Sequence, residues 1–370
     1  MIPTIDLRPR EKTLRDDLIA AATKVIDSGV YILGDEVNKF ESGFANYCGA
    51  SHCVGVGNGL DALTLTLRAW KDLGMCKEGD EVIVASNAYI ATVLAISENN
   101  LRPVFVEPDA VSFNLSPQRV EEAITKRTRI LLPVHLYGRL CDMHELMAIA
   151  VNHNLLVLED AAQAHGAQLR GKKAGSWGHA AAFSFYPTKN LGAFGDAGAV
   201  TTSDKRLSDH LRSLRNYGSV KKYHNQHIGR NSRLDEMQAA FLNVKLNHLD
   251  GQIDQRRAFA RSYLSAIKID GADLPNEGSD GQHCWHQFVI RVRNRNDFVE
   301  HMKEHGVCTD IHYPVPPHQQ QCYEHLLQQH LPLSEVLADE VVSLPIYPDL
   351  DSGQLKKIID VTNSFVSTAI

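Results

Sequence analysis

No run among the 370 residues reaches the roughly 18 consecutive apolar residues of a membrane-spanning helix. The opening stretch, MIPTIDLRPREKTLRDDL, is charged where a secretory leader would carry an apolar core. A cytoplasmic protein that does not enter a membrane is therefore expected. An excess of basic residues is also missing: 38 Lys and Arg stand against 44 Asp and Glu, a net charge of −6, and no basic recognition helix is present. This argues against nucleic acid as a partner but leaves room for a local basic pocket around an anionic ligand. The seven cysteines are scattered, odd in number and without a C-x-x-C pair, which fits reduced thiols. Cys284, His286, Cys308, His312, Cys322 and His325 share one region, yet their spacings match no standard zinc pattern, so no metal is expected. Internal repeats and low-complexity tracts are absent too.

What is present is ordinary for a globular chain long enough for two domains, with 44% hydrophobic and 22% charged residues. Leu14, Leu18, Ala21, Ala22, Val25 and Ile26 recur at helical spacing before Gly29. Strands are expected at 53–57, 81–84, 104–106, 129–134 and 155–158, alternating with helices at 62–70, 90–98, 118–126 and 142–153. That alternation is the mark of an α/β fold built on a largely parallel sheet, whose sites lie at the carboxyl ends of the strands. After a long helix beyond Leu234 and the turn-rich segment 271–282, the texture changes. A strand at 288–292, a helix at 297–305, a strand near 343–345 and an amphipathic helix at 352–365 describe a smaller α+β domain. The expected division is a large domain at 1–248 and a small one at 249–370.

Lys189 carries the strongest chemical signal. It follows an aromatic, small-residue strand and precedes Gly192, Gly195 and Gly198 in FSFYPTKNLGAFGDAGAV, residues 183–200. Glycine admits close approach of backbone or ligand, and an ammonium there loses hydration, which lowers its pKa. A neutral amine can form a Schiff base with an aldehyde and later move a proton. Taken alone, a solvated loop lysine explains the same residues. Asp160 ends the apolar run Leu155–Leu158, and an ionised carboxylate there needs a cation or several donors, unless it caps a helix. Gly57 to Asp61 joins a strand to a helix, which suits a phosphate as well as a plain N-cap by Asn58 or Asp61. Tyr89 at a strand end suits stacking on a planar ring as well as core packing. Asp160, Gln163 and Lys189 together suggest a pyridine cofactor: the carboxylate keeps a ring nitrogen protonated, the amide bonds ring substituents and the lysine holds an aldehyde as an imine. With Ser184 and the 57–61 turn available for phosphate, the parts of a pyridoxal 5'-phosphate site are all present.

The set NGLDAL (58–63), EDAAQAHGA (159–167), FSFYPTKNLGAFGDAGA (183–199), LRNYGS (214–219) and GRNSRLDEMQAAF (229–241) resembles the DegT/DnrJ/EryC1/StrS sugar aminotransferases over nearly the whole chain. Asn58-Gly59-Leu60, VHLYG at 134–138 and IHYPVPPH at 311–318 are closest to enzymes that aminate C3 of TDP-3-keto-6-deoxyhexoses. The resemblance implies a PLP-dependent aminotransferase of fold type I, working as a homodimer with shared active sites on a nucleotide-linked keto-deoxysugar and L-glutamate. By the same likeness Lys189 is the catalytic lysine, Asp160 pairs with the pyridine nitrogen and Gln163 lies near the ring hydroxyl. Tyr89 stacks on the ring. Gly59, Leu60 and Ser184 hold the phosphate together with Asn231 of a second subunit. Leu60 stands where the family often has threonine, which leaves only its backbone amide for phosphate.

Tyr186, Lys222, His312 and Tyr313 are the candidate sugar-nucleotide residues. Lys221, Lys222, Arg230 and Arg233 concentrate positive charge, as a diphosphate requires, although a solvated basic loop would look the same. Asn231, ahead of a helix, could equally be an N-cap. Three alternatives stay open: a 4-aminotransferase of the same family, a PLP lyase or dehydratase, and a PLP-binding regulatory protein without turnover. The second is disfavoured because the family's dehydrating members carry histidine in place of the lysine.

Overall fold

The computed structural model describes residues 1–8, 11–326 and 330–366. Helices α1 (Lys12–Ser28) and α2 (Asp35–Cys48) lead into strand β1 (His52–Val56) and helix α3 (Gly59–Asp72). The chain continues through β2 (Glu81–Ala85), α4 (Ile90–Glu98), β3 (Arg102–Val106), α5 (Pro117–Ala123), β4 (Thr128–Leu131), α6 (Met143–His153) and β5 (Leu156–Asp160). A small hairpin of β6 (Gln168–Leu169) and β7 (Lys172–Lys173) precedes β8 (Ala180–Ser184), β9 (Gly198–Thr202) and α7 (Lys205–Leu214). A second hairpin pairs β10 (Ser219–Lys221) with β11 (His224–Asn225). Helices α8 (Glu236–Leu246) and α9 (Leu249–Ala266) then lead to the C-terminal elements β12 (Ala272–Asp273), β13 (Phe288–Val292), α10 (Arg295–Glu304), α11 (Pro332–Glu340), β14 (Val341–Leu344) and α12 (Ser352–Asn363).

Seven strands form the central sheet in the order β1-β9-β8-β5-β4-β2-β3. All run parallel except β9, which pairs antiparallel with both β1 and β8. The alternation of side chains along each strand divides its residues between two cores. Cys53, Ile83, Val157, Ala181 and Phe183 face one core with α2, α6 and α8, while Val54, Val82, Leu158, Ala182 and Val200 face the other with α3, α4 and α7. Both faces are thus covered, as a mostly parallel sheet requires. A third core gathers Tyr263, Trp285, Phe288, Ile290, Phe298, Leu344 and Ile358 around the sheet β12-β13-β14, and Ile2 packs into it.

In α1, Leu14, Leu18 and Val25 are buried and Gly29 closes the helix at φ 64°. Ile26, expected on the same face, is 58% exposed. It lies about 100° round the helix from Val25, which carries it off the buried stripe. No helix among the described residues is long and apolar enough to cross a membrane.

Candidate active site

The carboxyl ends of β2, β5 and β8 and the amino end of α3 converge on one region. Strand β5 ends in Asp160, which is buried; its Oδ2 accepts from Thr92 Oγ1 at 2.7 Å and its Oδ1 from the Ala162 amide at 3.2 Å. A turn rather than a helix follows Asp160, so its carboxylate caps no helix. Burial pushes its carboxyl above the usual carboxylate range, opposed by these two donors and by the positive charge of Lys189. The carboxylate is thus short of positive charge. Lys189 sits in the loop after β8, half-buried, and burial pulls its amine down to about 8, with Asp160 acting the other way.

Gln163 is held from both sides. Its Oε1 accepts from the Tyr137 amide at 2.5 Å, and its Nε2 donates to the Tyr313 hydroxyl at 2.9 Å. The Tyr137 hydroxyl donates to the His312 carbonyl, which ties the C-terminal segment to the central sheet. His312 meets Ser343 Oγ through Nδ1 at 2.8 Å and lies 3.5 Å from Asp310 through Nε2. Burial lowers the His312 pKa, against Asp310 and with Lys189. The ring of Tyr89 is half exposed and inclined 35° to that of Tyr313, with centroids 4.9 Å apart. Tyr186, Thr188, His286, Asp310 and His312 line a cleft of about 270 Å³.

At the start of α3, Asn58 is the N-cap and accepts from the Asp61 amide at 2.8 Å, so Gly59 and Leu60 open the helix. This turn is packed to contact distance. A Cβ on Gly59 would stand 2.6 Å from Ser184 Cβ, and one on Gly198 would stand 2.3 Å from the Asn58 carbonyl oxygen. Only glycine permits that approach. The result sets the first α3 amides beside Ser184, a cradle that fits a phosphate group. The cradle, a buried carboxylate short of a cation and a half-buried lysine together fit a phosphorylated pyridine aldehyde.

The other expected positions lie apart from this cluster. Asn231 is exposed and forms a bridge with Asn216; it is no N-cap, because α8 starts at Glu236 behind Asp235. Lys222 lies in the exposed hairpin of β10 and β11, its amine 5.2 Å from the Tyr223 ring centroid. The positive charge expected around it is partly spent, since Arg230 is paired with Asp61 at 3.2 Å and Glu98 at 2.9 Å. Thr92 and Tyr137 went unread as site residues. Thr92 is a hydroxyl on the buried face of an otherwise apolar helix, which was a signal, although its partner is 68 positions away.

The DegT/DnrJ/EryC1/StrS aminotransferase family model matches residues 12–363. The chain is 50% identical over 365 residues to the dTDP-3-amino-3,6-dideoxy-alpha-D-galactopyranose transaminase of Aneurinibacillus thermoaerophilus, covering 99% of both chains. It is 47% identical to the dTDP-3-amino-3,4,6-trideoxy-alpha-D-glucose transaminase of Streptomyces venezuelae, covering 98% of this chain and 96% of that one. The crystal structure of S. venezuelae DesV in complex with a ketimine intermediate superposes with a TM-score of 0.94 at 48% identity, over 98% of this chain and 97% of that chain.

Proposed function

The chain belongs to the DegT/DnrJ/EryC1/StrS aminotransferase family and is a sugar aminotransferase, and from that premise we propose that it uses pyridoxal phosphate to move an amino group from L-glutamate to C3 of a TDP-3-keto-6-deoxyhexose. The product is a TDP-3-amino-3,6-dideoxyhexose. Two relatives whose names specify a 3-amino sugar, at 50% and 47% identity, support the carbon and the nucleotide.

The observation that carries the chemistry is the placement of Asp160 at the end of β5 and of Lys189 in the loop after the adjacent strand β8, where each charge acts on the other without a direct bond. When bound, the cofactor supplies an electron sink for breaking the C–H bond next to the donor nitrogen. Asp160, short of positive charge, holds a proton on the ring nitrogen, and Thr92 orients its carboxylate. Lys189 Nζ, whose pKa of about 8 lies near neutrality, would serve as the base that accepts the proton from the donor's α-carbon and as the acid that gives it back. The amides of Gly59 and Leu60 and the Ser184 hydroxyl hold the phosphate, joined by Asn231 of a second copy, so that the working unit is a homodimer. Gln163 keeps one N–H free for the ring hydroxyl while its other bonds fix its plane. Tyr89 would cover the ring face, and Tyr186, His312 and Tyr313 would receive the sugar nucleotide, joined by Lys222 from the exposed hairpin of a second copy. The small domain from 249 onward brings His312 and Tyr313 to the sheet.

Replacing the amine tests the core of this reading. Lys189→Ala and Lys189→Arg should each lose turnover by about 10⁴-fold or more, a loss above the usual size for one acid/base group because the lysine also carries the cofactor, with the circular dichroism of the fold retained. Near-normal rates in either variant refute it.

A further inference from the structure

A second cavity, of about 90 Å³, is lined in part by the Lys189 loop. Lys189, Asn190, Gly192, Lys245 and Arg256 contribute to its wall. Arg256 is buried on α9, with Nη1 donating to the carbonyls of Trp285 at 3.2 Å, His286 at 3.4 Å and Ile346 at 2.9 Å, and Nε has no partner. Lys245 Nζ donates to the Gly192 carbonyl at 2.6 Å and sits 4.2 Å from the Phe194 ring centroid. Among the described residues no carboxylate stands at ion-pair distance from either. The two acids on the wall do not change this: Asp6 is held bidentately by Arg8 at 3.0 and 2.7 Å, and Asp349 is exposed. Burial lowers Arg256 to about 10 and Lys245 to about 8, as for cations that lack a counter-charge.

A guanidinium held indoors by carbonyl oxygens alone is costly, and an anion brought into the cavity would offset that cost. The space admits a carboxylate with its methylene but not a nucleotide diphosphate. We propose that this cavity receives the side-chain carboxylate of a dicarboxylic amino donor, with Lys245 and Arg256 selecting it while the donor's amino end lies toward Lys189. The proposal rests on the transaminase reading and names the residues that choose its donor. The cleft around His286 and His312 carries the carboxylate of Asp310, which disfavours a second carboxylate there.

The test compares bleaching of the holoenzyme by L-glutamate and by its neutral isostere L-glutamine. The wild type should prefer glutamate, and Lys245→Met should reduce the ratio of kcat/KM values by on the order of 10- to 100-fold, the size of one lost charge-assisted contact. Lys245→Arg should restore most of the preference, which a merely structural lysine would not require. Glutarate, which lacks the amine, should bind the wild-type holoenzyme in calorimetry and bind Lys245→Met at least tenfold more weakly. An unaltered glutamate preference in Lys245→Met overturns the proposal, as does glutarate binding that this substitution leaves intact. Absence of bleaching by any amino acid in the wild type overturns the transaminase reading and the donor proposal with it, whereas intact bleaching with unchanged preference overturns the latter alone.

Discussion

Asp160 and Lys189 each pay for burial in the direction a cofactor would correct. The carboxyl is raised by burial and the amine lowered to about 8. A lysine with a lowered pKa is protonated below that value and neutral above it, so the nucleophilic form grows as pH rises toward 8. The rate at which cofactor-free protein captures pyridoxal phosphate, followed by visible absorbance, should therefore climb about tenfold per pH unit below 8 and level off above it. A flat profile between pH 6 and 9 contradicts the lowered amine. Thr92→Val removes the 2.7 Å donor to Asp160. A hydrogen bond to a charged group contributes about 1.5–3 kcal/mol, so cofactor affinity should fall by roughly 10- to 100-fold; an unchanged dissociation constant removes Thr92 from the site. Lys189 and Asp160 were legible in the sequence because each is a charge set against apolar or glycine-rich neighbours. Thr92 was not, because a threonine in a helix usually satisfies itself locally and only the fold supplies its distant partner.

At the scale of the element, the edge strand β1 is completed by side chains rather than by another strand. Glu41 on α2 accepts from the Gly55 amide at 2.8 Å and from Arg215 Nη1 at 2.5 Å, and Arg215 Nη1 also donates to the Gly55 carbonyl at 2.7 Å. Arg212 adds a bond to the Cys53 carbonyl at 2.9 Å. The exposed side of the ladder is thereby filled, which protects it from pairing with another chain. Glu41→Gln leaves Arg215 buried without its counter-charge and should lower the unfolding free energy by about 3–5 kcal/mol, seen as an earlier urea midpoint; an unmoved midpoint means the pair is energetically idle. Gly59→Ala should lower the midpoint as well, by about 1–3 kcal/mol of overpacking, and should in addition weaken cofactor binding by about 100-fold or more, because the added methyl stands 2.6 Å from Ser184 Cβ and pushes the start of α3 away from the end of β8. Cofactor affinity within twofold of wild type shows that the α3 start does not form the phosphate cradle. Strands β2 and β5 and helix α4 were readable from their apolar runs. Helices α2 and α7 were missed because their polar residues interrupt the pattern, and β9 was hidden behind the glycines that precede it. Its antiparallel direction follows from pairing partners far away in sequence, which no local period records.

Across the whole molecule, α9 joins two cores. Leu249 and Ile253 pack with the central sheet, whereas Ala260 and Tyr263 pack with the C-terminal one. The proposed boundary at 249 therefore coincides with the start of a helix that belongs to both parts. Ile2 returns from the other end of the chain to pair with Val307 and enter the C-terminal core, a contact that composition could not reveal. Tyr137, Gln163 and Tyr313 then link that core to the strand ends, so the candidate site draws on both ends of this frame. The motifs at 159–167 and 183–199 carried the family assignment because they hold the residues that must meet a cofactor. The convergence of Thr92, Tyr137 and Arg256 needed the fold.

The central claim is a transfer of nitrogen to C3, and one measurement reaches it most directly. The purified holoenzyme is bleached with L-glutamate, freed of donor and offered TDP-3-keto-6-deoxyhexose, made in situ, or TDP-4-keto-6-deoxyhexose in separate cuvettes. Recovery of the visible absorbance with the 3-keto sugar alone is the predicted result. Recovery with the 4-keto sugar alone would contradict amination at C3.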